Sequence, residues 1–87
     1  MHAIVVTASV ETGREQEGRE HLRANVVPAV KQIPGFVGAY WLASGLSVLL
    51  FDSEDAARSA ADALPNAPRP DFASIGDVDV HEVVAHA

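Results

Sequence analysis

The sequence predicts an α+β fold in which two helices cover one face of a four-stranded antiparallel sheet. The chain alternates patterns typical of strand, helix, strand, strand, helix and strand, which is the order of the split βαβ, ferredoxin-like architecture. That architecture has its first and third strands in the centre of the sheet, and these are the two most continuously apolar strands here. Because there is no internal linker and no repeat, residues 1–87 are predicted to form a single domain.

The first strand and the first helix follow from local patterns. His2–Val10 is a short, almost wholly apolar run rich in β-branched residues, which predicts a buried strand. Thr12 is followed three residues later by Glu15, which predicts a capping box at the start of a helix. Its apolar stripe consists of Gly18, Leu22, Val26, Ala29, Val30 and Ile33. Pro28 has no N–H to donate to the carbonyl of Ala24, so we expect a kink or a restart there.

A β-hairpin is predicted over residues 33–52, where two apolar runs flank Ser44 and Gly45. A Ser-Gly pair favours a two-residue turn, and in that register Trp41 faces Val48. The other face then carries Phe36, Gly38, Tyr40 and Leu42 opposite Phe51, Leu49 and Ser47. Both faces are apolar, so helices should cover one face and a second copy of the chain the other. Which face meets the helices stays open, with Trp41 expected at the interface.

The last two elements complete the predicted order. The Asp52-Ser53 pair offers an N-cap oxygen for a second helix that extends to about Leu64. Residues 65–70 include three prolines and predict a stiff loop. Residues 75–87 partly alternate apolar and polar side chains, which suits a strand with one buried face near the sheet edge.

Composition excludes several classes of function. The chain has twelve acidic and six basic residues and a net charge of −6, which repels nucleic acid and anionic membranes. No apolar run is long enough to span a membrane, and the N-terminus lacks the features of a signal peptide, so we expect a cytoplasmic protein. The chain has no cysteine, which excludes disulfides and thiolate catalysis. The six glycines form no phosphate-binding loop, so no nucleotide cofactor is expected.

Three features together resemble the dimeric α+β barrel proteins, and more narrowly their antibiotic biosynthesis monooxygenase-like domains. They are the order of elements, the first helix passing through residues 27–29 into Ile33-Pro34-Gly35-Phe36, and Phe51 leading through residues 52–56 into the second helix. The resemblance implies a homodimer in which two sheets join into a barrel. The family includes cofactor-independent oxygenases of phenols, haem-degrading enzymes and small domains of other roles. Haem degradation is disfavoured, because that branch uses a histidine on the second helix and residues 53–64 contain none.

Four residues are candidates for a site. His21 and Asn25 lie one turn apart at the edge of the apolar stripe, where they could deprotonate a phenol and leave a carbanion-like species for oxygen to attack. The alternative is that both are ordinary surface residues. Tyr40 could bind a ligand through its hydroxyl group, and the resemblance implies that Phe51 lines the subunit pocket. The alternative is that Tyr40 is a core or dimer-interface residue, as such a tyrosine more often is, and that both side chains only pack.

A metal site is not expected. His2 could approach His86 if the first and last strands pair, but a third ligand is missing.

Two hypotheses of function follow. The first is a cofactor-independent monooxygenase-like enzyme that acts on a small aromatic or phenolic molecule. The second is a homodimer without catalytic activity that binds a small hydrophobic ligand or serves a structural role. The first requires His21 or Asn25 to face a cavity large enough for an aromatic ring.

Overall fold

The computed structural model describes all 87 residues. Its four strands are β1 (His2–Val10), β2 (Phe36–Trp41), β3 (Leu46–Phe51) and β4 (Ala73–Glu82). They form one antiparallel sheet in the order β2-β3-β1-β4. The predicted strand order is therefore confirmed, with the two most apolar strands in the centre of the sheet.

Two helices lie between the strands and confirm the predicted α+β fold. The first consists of α1 (Glu15–His21), a π-helical turn (Leu22–Val26) and α2 (Val27–Lys31), and the second is α3 (Glu54–Ala63). A short 3-10 turn (Leu64–Asn66) follows α3. None of these helices has the length and apolar character needed to cross a membrane.

The predicted capping box at the start of α1 is wrong. The N-cap residue is Arg14, and no side chain caps this end of the helix. Thr12 lies one residue before a glycine with a positive φ of 90°, so the chain still turns at Gly13 and cannot yet be helical. At α3 the expected cap is confirmed, because the Ser53 hydroxyl accepts a hydrogen bond from the Ala56 N–H at 3.2 Å.

The predicted interruption of the first helix is confirmed and takes the form of a widened turn. Here the N–H of Val27 donates to the carbonyl of Leu22, five residues earlier. Pro28 follows directly, in the first turn of α2. Since proline has no N–H and its ring crowds the carbonyl four residues earlier, regular α-helical bonding cannot continue through this point.

The register predicted for the hairpin is wrong by one residue. Trp41 pairs with Ser47 and Tyr40 with Val48, because the loop has three residues instead of two. The Gly45 N–H donates to the Leu42 carbonyl at 3.0 Å, and Gly45 has a φ of +93°. This is the turn followed by a left-handed glycine that three-residue hairpin loops commonly use.

The shift in register moves side chains of β2 to the opposite face of the sheet. Trp41 packs against the core on the side of the helices, so its expected place at an interface is wrong. Tyr40 lies on the other face and is 67% exposed. A β-bulge between Phe36 and Gly38 returns Phe36 to the helix side, where its ring meets Phe51 edge-on at 6.0 Å between centroids.

The core lies between the sheet and the helices. It includes Ile4 and Val6 of β1, Leu49 and Phe51 of β3, Val30 of α2, and Ala57 and Ala60 of α3. Alanine is the packing residue of α3, which therefore approaches the sheet closely. Only nine residues are buried in the single chain, so the core is small.

The sheet face away from the helices is uncovered, and we call it the open face. Two rows of paired residues cross it, Gly38–Leu50–Ala3–His81 and Tyr40–Val48–Val5–Asp79, and Leu42, Leu46 and Thr7 form a third. The open face is thus apolar over β2, β3 and the first half of β1, and polar along the β4 edge.

Candidate functional site

A cavity of about 460 Å³ opens on the helix side of the sheet. Its walls are the second half of β1, one side of the first helix, the hairpin turn, the loop at residues 67–70 and the start of β4. Most of the lining is apolar, and the indole of Trp41 contributes to it. A volume of this size accommodates a small organic molecule.

The cavity exists because α1 contributes no buried residue and leaves space above the sheet. The first helix comes close at Gly18, where an added Cβ would lie 3.0 Å from a methyl group of Val10. At the far wall, the guanidinium of Arg14 lies 4.1 Å from the ring centroid of Phe72, a cation–π contact that ties the helix start to the segment before β4. Glu17 pairs with the same guanidinium at 2.7 Å.

His21 is the predicted site residue that lines this cavity. Its Nδ1 lies 3.1 Å from the amide nitrogen of Asn25, which also donates to the His21 carbonyl at 3.3 Å. Because that amide nitrogen is a donor, Nδ1 is the acceptor and the neutral ring carries its proton on Nε2. Nε2 is shielded from solvent and has no hydrogen-bond partner.

The other three predicted residues lie outside the cavity lining. Asn25 is exposed and contacts the cavity only through the ring of His21. Tyr40 lies on the open face, and Phe51 is completely buried in the core. The prediction that Tyr40 and Phe51 share a hairpin face is therefore wrong, since Phe51 pairs with Phe36 and Tyr40 with Val48.

Several lining residues were not anticipated. Trp41 would have been found with the correct hairpin register. Ser9 and Ser74 line the cavity with their hydroxyl oxygens 2.7 Å apart, and their contact follows from the pairing of β1 with β4. Arg19 and Arg69 also line it, and no sequence pattern distinguishes them from the other cations.

Three charged groups outside the cavity lining have pKa values that are shifted by local causes. The hydrogen bond from Arg14 lowers the pKa of Glu17 below its ordinary value of 4.5 and raises the pKa of Arg14. On α3, the hydrogen bond from Arg58 lowers the pKa of Glu54 in the same way. No group of three or more His, Cys, Asp or Glu side chains is arranged to hold a metal ion.

Comparison of the chain with protein-family models, curated proteins and solved structures gives no match. The geometry of the cavity and of the open face is therefore the basis for assigning a function.

Proposed function

We propose that this chain is a cofactor-independent monooxygenase-like enzyme that acts on a small phenolic molecule in the cavity, related to the antibiotic biosynthesis monooxygenase-like domains. The observation that supports this proposal is the position of His21 at the wall of a mostly apolar cavity of about 460 Å³. A cavity of that volume can hold an aromatic ring, as the enzyme hypothesis requires. His21 is the one histidine of the lining, and imidazole is the side chain that most often serves in general acid–base catalysis.

In the proposed reaction, His21 accepts the phenolic proton and the substrate becomes nucleophilic at a ring carbon. Molecular oxygen is the co-reactant: one oxygen atom forms a carbonyl at that carbon. The other oxygen atom leaves as water with the two hydrogens lost from the substrate, so a phenol becomes a quinone. Asn25 acts as a positioning residue, because it holds the imidazole through Nδ1.

The tautomer of the neutral His21 ring adds one requirement to this reaction. Nε2 carries the proton when Nδ1 accepts from Asn25, so Nε2 accepts a substrate proton only after the tautomer changes and the Asn25 amide turns to offer its oxygen. Nε2 is also shielded, so the ring must shift to meet a ligand.

The same observation favours a second candidate, which is binding without catalysis. As it stands, Nε2–H of His21 is a buried donor without a partner, a state that costs about 1–3 kcal/mol. A ligand carbonyl or phenolate oxygen that reaches Nε2–H would relieve this cost. In this role His21 only donates a hydrogen bond, and its tautomer stays unchanged.

We also propose that two copies associate through the open face, as in the dimeric α+β barrel proteins. The isolated chain exposes 5708 Å², whereas a monomeric protein of 9.2 kDa is expected to expose about 4,900 Å². Tyr40 and Leu42 contribute large apolar surfaces that are 67% and 49% exposed. Burial of this face against its copy would remove that surface from water.

A cytoplasmic location is part of the proposal. The chain has no cysteine and therefore needs no oxidising compartment to fold.

The test uses the single tryptophan, because Trp41 lines the cavity and 4-nitrophenol quenches indole fluorescence. Binding to the wild type is compared with His21→Gln and with His86→Gln, an exposed histidine outside the cavity. Loss of one hydrogen bond should weaken binding about fivefold in His21→Gln, and His86→Gln should match the wild type. Oxygen uptake is then measured with 1-naphthol as the oxidisable phenol.

The outcomes separate the two candidates. Oxygen uptake that disappears in His21→Gln supports the enzyme. Quenching that depends on His21, without oxygen uptake, supports the binding protein. If 4-nitrophenol causes no quenching, or quenches all three proteins equally, the proposed site is wrong.

A further inference from the structure

The cations of this acidic chain are distributed unevenly around the cavity. Of the six Lys and Arg residues, Arg14 and Arg58 are paired with glutamates at 2.7 Å. Four cations form no ion pair: Arg19, Arg23, Lys31 and Arg69. Arg19 and Arg69 both line the cavity.

The acidic residues are distributed in the opposite way. Among twelve Asp and Glu residues, Glu15 alone lines the cavity. Two guanidinium groups and one carboxylate leave one net positive charge there, whereas the whole chain carries −6. The charge of the lining is therefore opposite in sign to the net charge of the chain, and such a local excess of positive charge favours an anion in the site.

Polar groups of the lining can also donate hydrogen bonds to a ligand. Arg69 Nη1 donates to the carbonyls of Pro65 and Ala67 at 3.2 and 3.3 Å, which fixes this side chain on the proline-rich loop. Its remaining N–H groups and those of Arg19 are free to bind a ligand. One of the Ser9 and Ser74 hydroxyls donates to the other, which leaves the O–H of the second free to donate to a ligand.

We infer that the ligand of this cavity is an apolar, ring-containing molecule that carries one carboxylate, and that Arg19 and Arg69 bind the carboxylate at the cavity mouth. This inference rests on the proposed function and specifies its substrate class. A guanidinium group matches a carboxylate in a bidentate geometry. The single net positive charge suits a monoanion, because Glu15 would repel the second charge of a phosphate monoester.

The test compares two ligands of equal size that differ in charge, 2-naphthoate and 2-naphthamide, by isothermal titration calorimetry. The variants are Arg19→Gln and Arg69→Gln, with Arg23→Gln as the matched control, an exposed arginine of the first helix that lies outside the lining. Circular dichroism checks that each variant is folded. Arg19 makes no side-chain hydrogen bond or ion pair that its loss would break, so Arg19→Gln tests charge even if Arg69→Gln disturbs its loop.

We expect the wild type to bind 2-naphthoate about tenfold more tightly than 2-naphthamide, since a hydrogen bond to a charged group contributes more than a neutral one. Arg19→Gln and Arg69→Gln should each weaken naphthoate binding about three- to tenfold and leave naphthamide binding unchanged. Arg23→Gln should leave both affinities unchanged.

Equal affinities for the two ligands would overturn the inference and leave the proposed function intact. The same holds if Arg23→Gln weakens naphthoate binding as much as Arg19→Gln and Arg69→Gln do. If neither ligand binds the wild type, the inference and the proposed cavity both fail.

Discussion

Gly45 shows how a single residue connects the hairpin turn to the rest of the sheet. Its φ of +93° is strained for any residue with a Cβ atom. A Cβ atom there would also overlap the carbonyl oxygen of Ala8, whose N–H donates to the Gly45 carbonyl at 2.8 Å. The hairpin therefore docks on β1 at this glycine, beside the cavity.

We predict that Gly45→Ala lowers the free energy of unfolding by about 2–4 kcal/mol, from backbone strain and from the displaced contact. The matched control is Gly13→Ala, which has a similar φ of +90° and open space around the added methyl group. Gly13→Ala should lower the free energy of unfolding by only about 1 kcal/mol. Urea unfolding measures both values, and equal losses would show that the Ala8 contact contributes nothing.

The sequence predicted the position of His21 beside a cavity, but not the faces of the sheet on which Tyr40 and Phe51 lie. His21 borders a helical stripe, and a stripe depends only on local periodicity. The faces of Tyr40 and Phe51 depend on whether the loop contains two residues or three. Ser44-Gly45 is compatible with both lengths, and a difference of one residue exchanges the faces. The cavity itself depends on how far α1 lies from the sheet, which no local pattern encodes.

At the scale of elements, the start of α1 is held by a contact between helix and loop. No side chain caps this end. The ion pair of Arg14 and Glu17 instead orients the guanidinium against the ring of Phe72. Since Phe72 lines the cavity, this contact also fixes one cavity wall.

We predict that Glu17→Gln weakens this anchor in a pH-dependent way. The folded pKa of Glu17 is below its ordinary 4.5, so its contribution to stability is present above that pH and is lost as the pH falls through the lower, folded value. The stability difference between the wild type and the variant should therefore be visible at about pH 7 and be smaller at about pH 3. Urea unfolding at both values measures it, and added salt should reduce it.

Glu20→Gln is the control for Glu17→Gln, because Glu20 lies on the same helix without an ion pair. If Glu17→Gln lowers the free energy of unfolding equally at both pH values, or if Glu20→Gln lowers it by the same amount, the proposed role of the ion pair is contradicted.

The elements themselves were largely predictable because their signals are local. Proline at position 28 and serine at 53 act through bonds within one turn, and both effects are present as expected. The capping box failed because Gly13 adopts a positive φ between its two members. A sequence pattern specifies the residues of a cap, but not the backbone angles that bring them together.

At the scale of the whole molecule, the proposed dimer predicts that a negative charge has different effects on the two faces of β2. Light scattering should give the mass of a dimer for the wild type and of a folded monomer for Tyr40→Glu, because a charge on the open face opposes burial. Trp41→Glu should instead unfold or strongly destabilise the chain, because Trp41 packs against the core. Ala63→Glu, on the exposed side of α3, should remain a dimer. A wild type that stays a folded monomer at high concentration would contradict the proposed dimer.

The pairing of β1 with both β3 and β4 has a consequence for the order in which the chain can fold. β1 is made before the other three strands, whereas its partner β4 is made after them. Until β4 emerges, an apolar strand has one edge of unpaired N–H and C=O groups. Synthesis on the ribosome therefore leaves the central strand β1 without one neighbour until the other strands and both helices have been made. Truncation before β4 should yield a chain that aggregates.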